Sequence, residues 1–248
     1  MPTGGEWEPL KREATKYAKN VGINPVAPRS LLNHYIQVRT NANGPRGGTA
    51  DNAIDGGGGG GRVGQWAAGA ATAAGIGGFL SRVGEVGLDG ALREEGLGDL
   101  VGRSASEIST ALLDKFAGPA STLDQSAARQ ALIDLNDELL AEAETFEDVE
   151  QALVGAVDQG GLFDILMRFF GHYLYECFCR DFYERLVQRV GSAQATESLK
   201  SIRDCIEAAI KAKLVGRNRF AFQWNGPDGK KLAAEILGEV FDIFELGT

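Results

Sequence analysis

Apolar residues recur at helical spacing through most of the second half of the chain, and helix-capping signals separate the segments. Ser104 with Glu107, and Thr122 with Gln125, have the residue types and spacing of a capping box, in which each side chain binds the other residue's backbone N–H. Thr145 with Asp148 makes a third helix-start signal. The predicted helices run from the Ser104 signal to about Ala117, from Leu123 to Ala143, and from Thr145 to about Asp158.

The most apolar stretch, Leu162 to Val190, carries apolar residues on more than one face of a helix. This pattern predicts a central helix that other helices surround. Helices from about Thr196 to Leu214 and from about Lys231 to Glu245 follow it. Between them, the alternation from Arg219 to Trp224 predicts a short strand.

Glycine and proline interrupt the chain before Ser30, so only short elements are expected there. Lys11 to Lys19 can form a short basic helix, and Ser30 can cap a helix from Leu31 to about Arg39. The six glycines Gly56 to Gly61 predict a flexible linker, because glycine has the most backbone entropy to lose on ordering.

We therefore predict a mostly α fold, with a C-terminal helical bundle and a flexible Gly/Pro-rich N-terminal arm. Residues 1–62 form the arm and linker, with few apolar residues to anchor them, and residues 63–248 form the helical domain.

Val63 to Leu80 is an uncharged segment whose length approaches that of a membrane span. Most of it is Ala and Gly, so its transfer into lipid is weakly favourable. The segment is interpreted as a packed or partner-binding helix, and membrane insertion is the alternative.

The net charge of −9 lies entirely in residues 103–248, which carry fifteen basic and twenty-four acidic residues. Residues 134–150 alone contain eight carboxylates and no Lys or Arg. Such a surface repels phosphate, so nucleic acid is not an expected partner. The acidic helix is either a solvated face or a docking face for a basic partner.

Candidate chemistry is sparse. Neither histidine, His34 or His172, lies in a recognisable catalytic frame. His172 and Glu176 share a helix face, but the nearby cysteines point elsewhere around the helix, which disfavours a metal site. The glycine run lacks the Lys-Ser/Thr of a phosphate-binding loop. We therefore expect no catalytic, cofactor-binding or metal-binding residues.

Three cysteines, Cys177, Cys179 and Cys205, are too few and too clustered for a disulfide framework. No apolar signal region follows the charged start of the chain. These features predict a cytoplasmic protein with reduced thiols.

Several short stretches of the helical half form a recognisable set: Gly96 to Arg103, Ala105 to Leu113, Gly118-Pro119, Ser121 to Asp124, Ala127 to Arg129 and Tyr173-Leu174-Tyr175. Together they resemble the QatB component of Qat anti-phage defence systems. The order of the later helices is also similar to that family.

This resemblance implies an accessory or partner subunit, or a substrate, within a multi-gene system that also encodes an ATPase, a QueC-like enzyme and a TatD-like nuclease. Members of the family typically begin Met-Gly with a flexible arm that offers a handle for the QueC-like enzyme, whereas here Pro2 follows Met1.

We expect a non-enzymatic protein that contacts operon-encoded partners through its arm and its Ala/Gly segment. A membrane-active effector that inserts residues 63–80 is the alternative function, and an unrecognised enzyme is a third. The candidate partner contacts are Gly4, Gly5, Trp7, Trp66 and Phe79.

Overall fold

The computed structural model describes residues 5–21, 28–41, 66–159, 161–215 and 229–245. These ranges are helical and contain no β-strand, which confirms the mostly α fold class. A short 3₁₀ turn, Gly98–Leu100, precedes the fourth helix. The helices described are α1 Trp7–Lys19, α2 Pro28–Asn41, α3 Ala67–Glu94, α4 Ala105–Ala117, α5 Leu123–Leu139, α6 Phe146–Gln159, α7 Gly161–Val190, α8 Ser192–Leu214 and α9 Gly229–Glu245.

The capping signals start three of these helices as predicted. At the start of α5, Gln125 N donates to Thr122 Oγ1 at 3.1 Å, and Thr122 N donates to Gln125 Oε1 at 3.0 Å. The same reciprocal bonds start α4, between Ser104 and Glu107, and α6, between Thr145 and Asp148. Helix α5 ends four residues before the predicted Ala143.

Helix α7 is the centre of the bundle, as its apolar pattern predicted. It packs against α1, α3, α5, α6, α8 and α9. Its buried residues lie on more than one face of the helix because neighbours surround it. Gly191, with a φ of 83°, ends α7 and allows the chain to turn back into α8. The buried aromatic residues of α7 are Phe163, Phe169, Phe170, Tyr173, Phe178 and Phe182.

Helices α1 and α2 belong to the same hydrophobic core as the rest of the bundle. Leu10, Leu32 and Tyr35 are fully buried in it. A hydrogen bond also joins the two helices, with His34 Nδ1 2.6 Å from Glu13 Oε2. This packing corrects the expectation that residues 1–62 hold few apolar anchors. The glycine run lies outside the described residues, so the domain boundary at residue 62 stays a prediction.

Helix α3 contains the described part of the uncharged segment. Ile76, Phe79 and Leu80 are buried in the bundle core, as a packed helix requires. Gly87, with a φ of 77°, divides α3 into two helical parts. None of the helices in the described ranges has the length and apolar content needed to cross a membrane.

Helix α9 closes the bundle and matches the predicted final helix. It packs against α2, α3, α7 and α8. The predicted strand from Arg219 to Trp224 lies outside the described residues.

Candidate functional site

A cluster of charged and aromatic side chains joins α2 to the interior of the bundle. The Arg39 guanidinium donates to Asp124 Oδ1 at 2.9 Å and to Asp181 Oδ2 at 3.2 Å. The Tyr35 hydroxyl donates to the same Asp181 oxygen at 2.8 Å. The guanidinium carbon also lies 4.4 Å from the centre of the Trp66 ring, which is a cation–π contact.

This Arg39 cluster holds helices together rather than forming an open site. Asp124 Oδ2 accepts a bond from Ala68 N at 3.0 Å, at the start of α3. Burial raises the pKa of Asp181, and the charge of Arg39 opposes that rise. Because a buried guanidinium binds both carboxylates, removing it would leave two partly buried acidic groups without their cation.

An open groove lies between α7 and α8. Its main cavity has a volume of about 610 Å³, within the range of ligand pockets. A smaller cavity of about 280 Å³ lies along the same two helices, and Tyr175 and Arg203 line both. We refer to the two cavities together as the α7/α8 groove. The main cavity is lined by Glu138, Arg168, Gly171, His172, Tyr175, Arg203, Ile206, Glu207, Ile210, Lys211, Leu214 and Val215. The other residues of the smaller cavity are Cys179, Tyr183, Thr196, Leu199 and Lys200.

Gly171 allows the two helices of the groove to approach closely. A Cβ at this position would lie 2.4 Å from Ile210 Cδ1, well inside van der Waals contact. The floor of the groove is therefore made where the backbone of α7 lies close to the side chains of α8.

One rim of the groove carries three polar side chains in contact with one another, from α5 and α7. Arg168 Nη1 donates to Glu138 Oε1 at 2.6 Å, and His172 Nε2 lies 3.3 Å from Glu138 Oε2. The hydrogen bond with His172 and the bond and charge of Arg168 lower the pKa of Glu138 to about 2, although burial opposes this shift. Glu138 is therefore a fixed anion, not a group poised to transfer protons near neutral pH.

Arg203 lines both cavities of the groove. Its guanidinium carbon lies 4.4 Å from the centre of the Tyr175 ring, and its Nη2 donates to Asp134 Oδ2 at 2.9 Å. Burial raises the pKa of Tyr175 well above that of a free phenol, which keeps the phenol neutral. The Arg203–Tyr175 pair thus forms a stacked, cationic bridge across the groove.

The three thiols lie in surroundings that suppress their reactivity. Burial raises the pKa of Cys177 and of Cys179 to about 12, and it also raises the pKa of Cys205. Thiolate is the nucleophilic form of cysteine, so none of these groups is activated for nucleophilic attack.

His172 pairs with α5 rather than with the residues considered for a metal site. Its ring faces Glu138 and, at 4.0 Å, Asp134. Burial is the largest cause of the raised pKa of Glu176, so this carboxylate binds a proton more readily than usual. Among the described residues, no group of three or more His, Cys, Asp or Glu side chains is arranged to hold a metal ion.

The five expected partner contacts fall in different places. Gly4 lies outside the described residues, and Gly5 is exposed in the turn before α1. Trp7, Trp66 and Phe79 are buried in the core. Side chains of this chain cover these three residues, and their part in partner contacts stays a prediction.

Sequence reasoning missed the α7/α8 groove. Arg168, His172 and Tyr175 recur at the spacing of one helix face, which is the available signal. The same pattern is typical of any solvated helix, and nothing in the sequence shows that α8 lies beside it.

A family model described as "Qat anti-phage system associated protein QatB" matches residues 57–244 of the chain. The chain belongs to the QatB family. It is therefore a component of a Qat anti-phage defence system, and membership implies partner proteins from the same operon. The match begins after α2, so α1 and α2 are helices that precede the family region and pack on it. Comparisons with curated proteins and with solved structures gave no match.

Proposed function

We propose that the chain is a non-enzymatic partner subunit of its Qat system and acts through protein–protein contacts. Membership of the QatB family carries this proposal. The suppressed thiols and the ion-paired Glu138 support it, because neither is adjusted for catalysis near neutral pH.

The proposed partners are the ATPase, the QueC-like enzyme and the TatD-like nuclease of the same operon. Binding is tested by expressing the tagged full chain together with the other operon genes. Co-purification of at least one of these proteins is expected. If none co-purifies under any condition in which the operon protects against phage, the partner role is wrong.

The enzyme alternative is tested at Glu138 and His172, which line the main cavity. Glu138→Gln and His172→Gln remove the two ionisable side chains, and Glu142→Gln is the matched control on an exposed residue outside the groove. If the chain is a partner subunit, each variant should reduce protection against phage only to the extent that it reduces partner binding. Full partner binding with no protection would instead indicate a catalytic role.

The intact mass of the co-expressed chain separates a substrate from a simple partner. A mass increase that requires the QueC-like enzyme would make the chain a substrate of that enzyme.

A further inference from the structure

The two ends of the α7/α8 groove carry exposed apolar side chains. Val215 is 76% exposed at the end of α8, and Tyr183 is 48% exposed on α7 at the other end. They are two of the four large apolar residues that are exposed within the described ranges. Leu199 to Leu214 spans about 22 Å at ~1.5 Å per residue, so the groove is long enough for a short helix rather than a compact ligand.

The charge of the groove differs from that of the rest of the chain. Among the residues that the structure describes, its lining carries Arg168, Lys200, Arg203 and Lys211 but only two acidic side chains, Glu138 and Glu207, whereas the whole chain has a net charge of −9.

The two lysines are the cations left to meet a ligand. Arg168 and Arg203 already pair with Glu138 and Asp134. Lys200 and Lys211 are exposed and form no ion pair with any described residue. The groove therefore combines apolar ends with available positive charge on an otherwise acidic protein.

We propose that the α7/α8 groove binds an acidic amphipathic helix of a protein partner. Apolar side chains at i, i+3 or i+4, and i+7 of that helix cover the floor between Val215 and Tyr183. Its carboxylates face Lys200 and Lys211, and this charge complementarity selects an acidic segment over a basic one. The proposal rests on the partner role proposed above, and names the surface and the kind of segment it uses.

Photo-crosslinking from within the groove tests whether the segment bound there is an acidic helix of an operon protein. A benzophenone amino acid is placed at Val215 of the full chain, co-expressed with the other operon genes. Leu123 is the matched control position: it is 70% exposed and lies at the opposite end of α5 from Glu138. A crosslink from Val215, absent from Leu123, to an acidic segment of one operon protein is expected. A crosslink to a basic segment, to a second copy of this chain, or to nothing overturns the proposal.

Reversing the charge of the two lysines tests whether they attract the acidic segment of the partner. Lys200→Glu with Lys211→Glu should weaken binding to the co-purifying operon protein by about tenfold or more, mainly through a slower association rate. Lys230→Glu with Lys231→Glu on α9 makes the same change in net charge on exposed residues outside both the groove and the arm, and should bind as the unaltered chain does. Far-ultraviolet circular dichroism confirms that both variants fold.

The results separate this proposal from the partner role. Equal binding by the two double variants overturns the groove as the docking surface while the partner role stands. Failure of the unaltered chain to bind any operon protein overturns both.

Discussion

Gly69 on α3 provides a sharp test of how closely that helix packs on α7. A Cβ at this position would lie 2.1 Å from Tyr173 Cε1 and 2.5 Å from Tyr173 Cδ1. The Tyr173 ring has little room to move. It is fully buried, lies parallel to Phe169, and donates from its hydroxyl to Asp124. Gly69→Ala should therefore force α3 and α7 apart.

The magnitude follows from comparison with a second glycine of the same helix. A Cβ at Gly84 would lie 3.5 Å from Val157 Cγ1, which is ordinary van der Waals contact. Gly84→Ala should stabilise the protein by about 0.5–1 kcal/mol, because alanine is the better helix former. Gly69→Ala makes the same replacement in the same helix, so the difference between the variants mainly reports the overpacking against Tyr173. That difference should be about 1–3 kcal/mol.

Urea unfolding followed by circular dichroism at 222 nm measures both variants against the unaltered chain. We expect a lower midpoint for Gly69→Ala, a higher one for Gly84→Ala, and similar slopes, since the surface exposed on unfolding is unchanged. Equal midpoints for the two variants would refute the close approach of α3 to Tyr173.

Three further outcomes are expected. Phe170→Ala should cost about 2–5 kcal/mol of unfolding free energy in the same assay, whereas Glu142→Ala on an exposed residue should stay within ~0.5 kcal/mol, and equal effects would contradict the central position of α7. Trp7→Ala should cost about 3–5 kcal/mol because this side chain packs against Tyr35 and Phe182, and a neutral result would mean that α1 is not anchored. The lowered pKa of Glu138, about 2 against an ordinary 4.5, means that its pairing stabilises the fold above about pH 4.5 and is lost as the pH falls towards 2. Unfolding measured across that range should depend less on pH in Glu138→Gln, and an unchanged dependence would contradict the pairing.

Local residue patterns in the sequence predict most of the helices. Capping signals such as that of Thr122 and Gln125 depend on residues three positions apart, so a single segment contains all the information. The central position of α7 was also predictable, because a helix with apolar residues on more than one face must be covered on more than one side.

The burial of α1 and α2 could not be read from local signals in the same way. Prolines and glycines before Ser30 predict short elements, although Pro9 lies within the first turn of α1 and Pro28 begins α2, and they do not show whether these short helices are packed. That outcome depends on long-range partners: Trp7 packs against Phe182, and Tyr35 binds Asp181, each more than a hundred residues away in sequence.

The α7/α8 groove also combines features that the local sequence predicts with features that only helix packing produces. The sequence by itself determined which residues are helical, which faces are apolar and where the acidic charge lies, because these properties depend on residue type and short-range spacing. Only the tertiary structure brought Glu138 to His172 and Arg203 to Tyr175, since these pairs join different helices. Surface charges carry no periodic signal of their partners, so helix packing alone decides which of them line a common site.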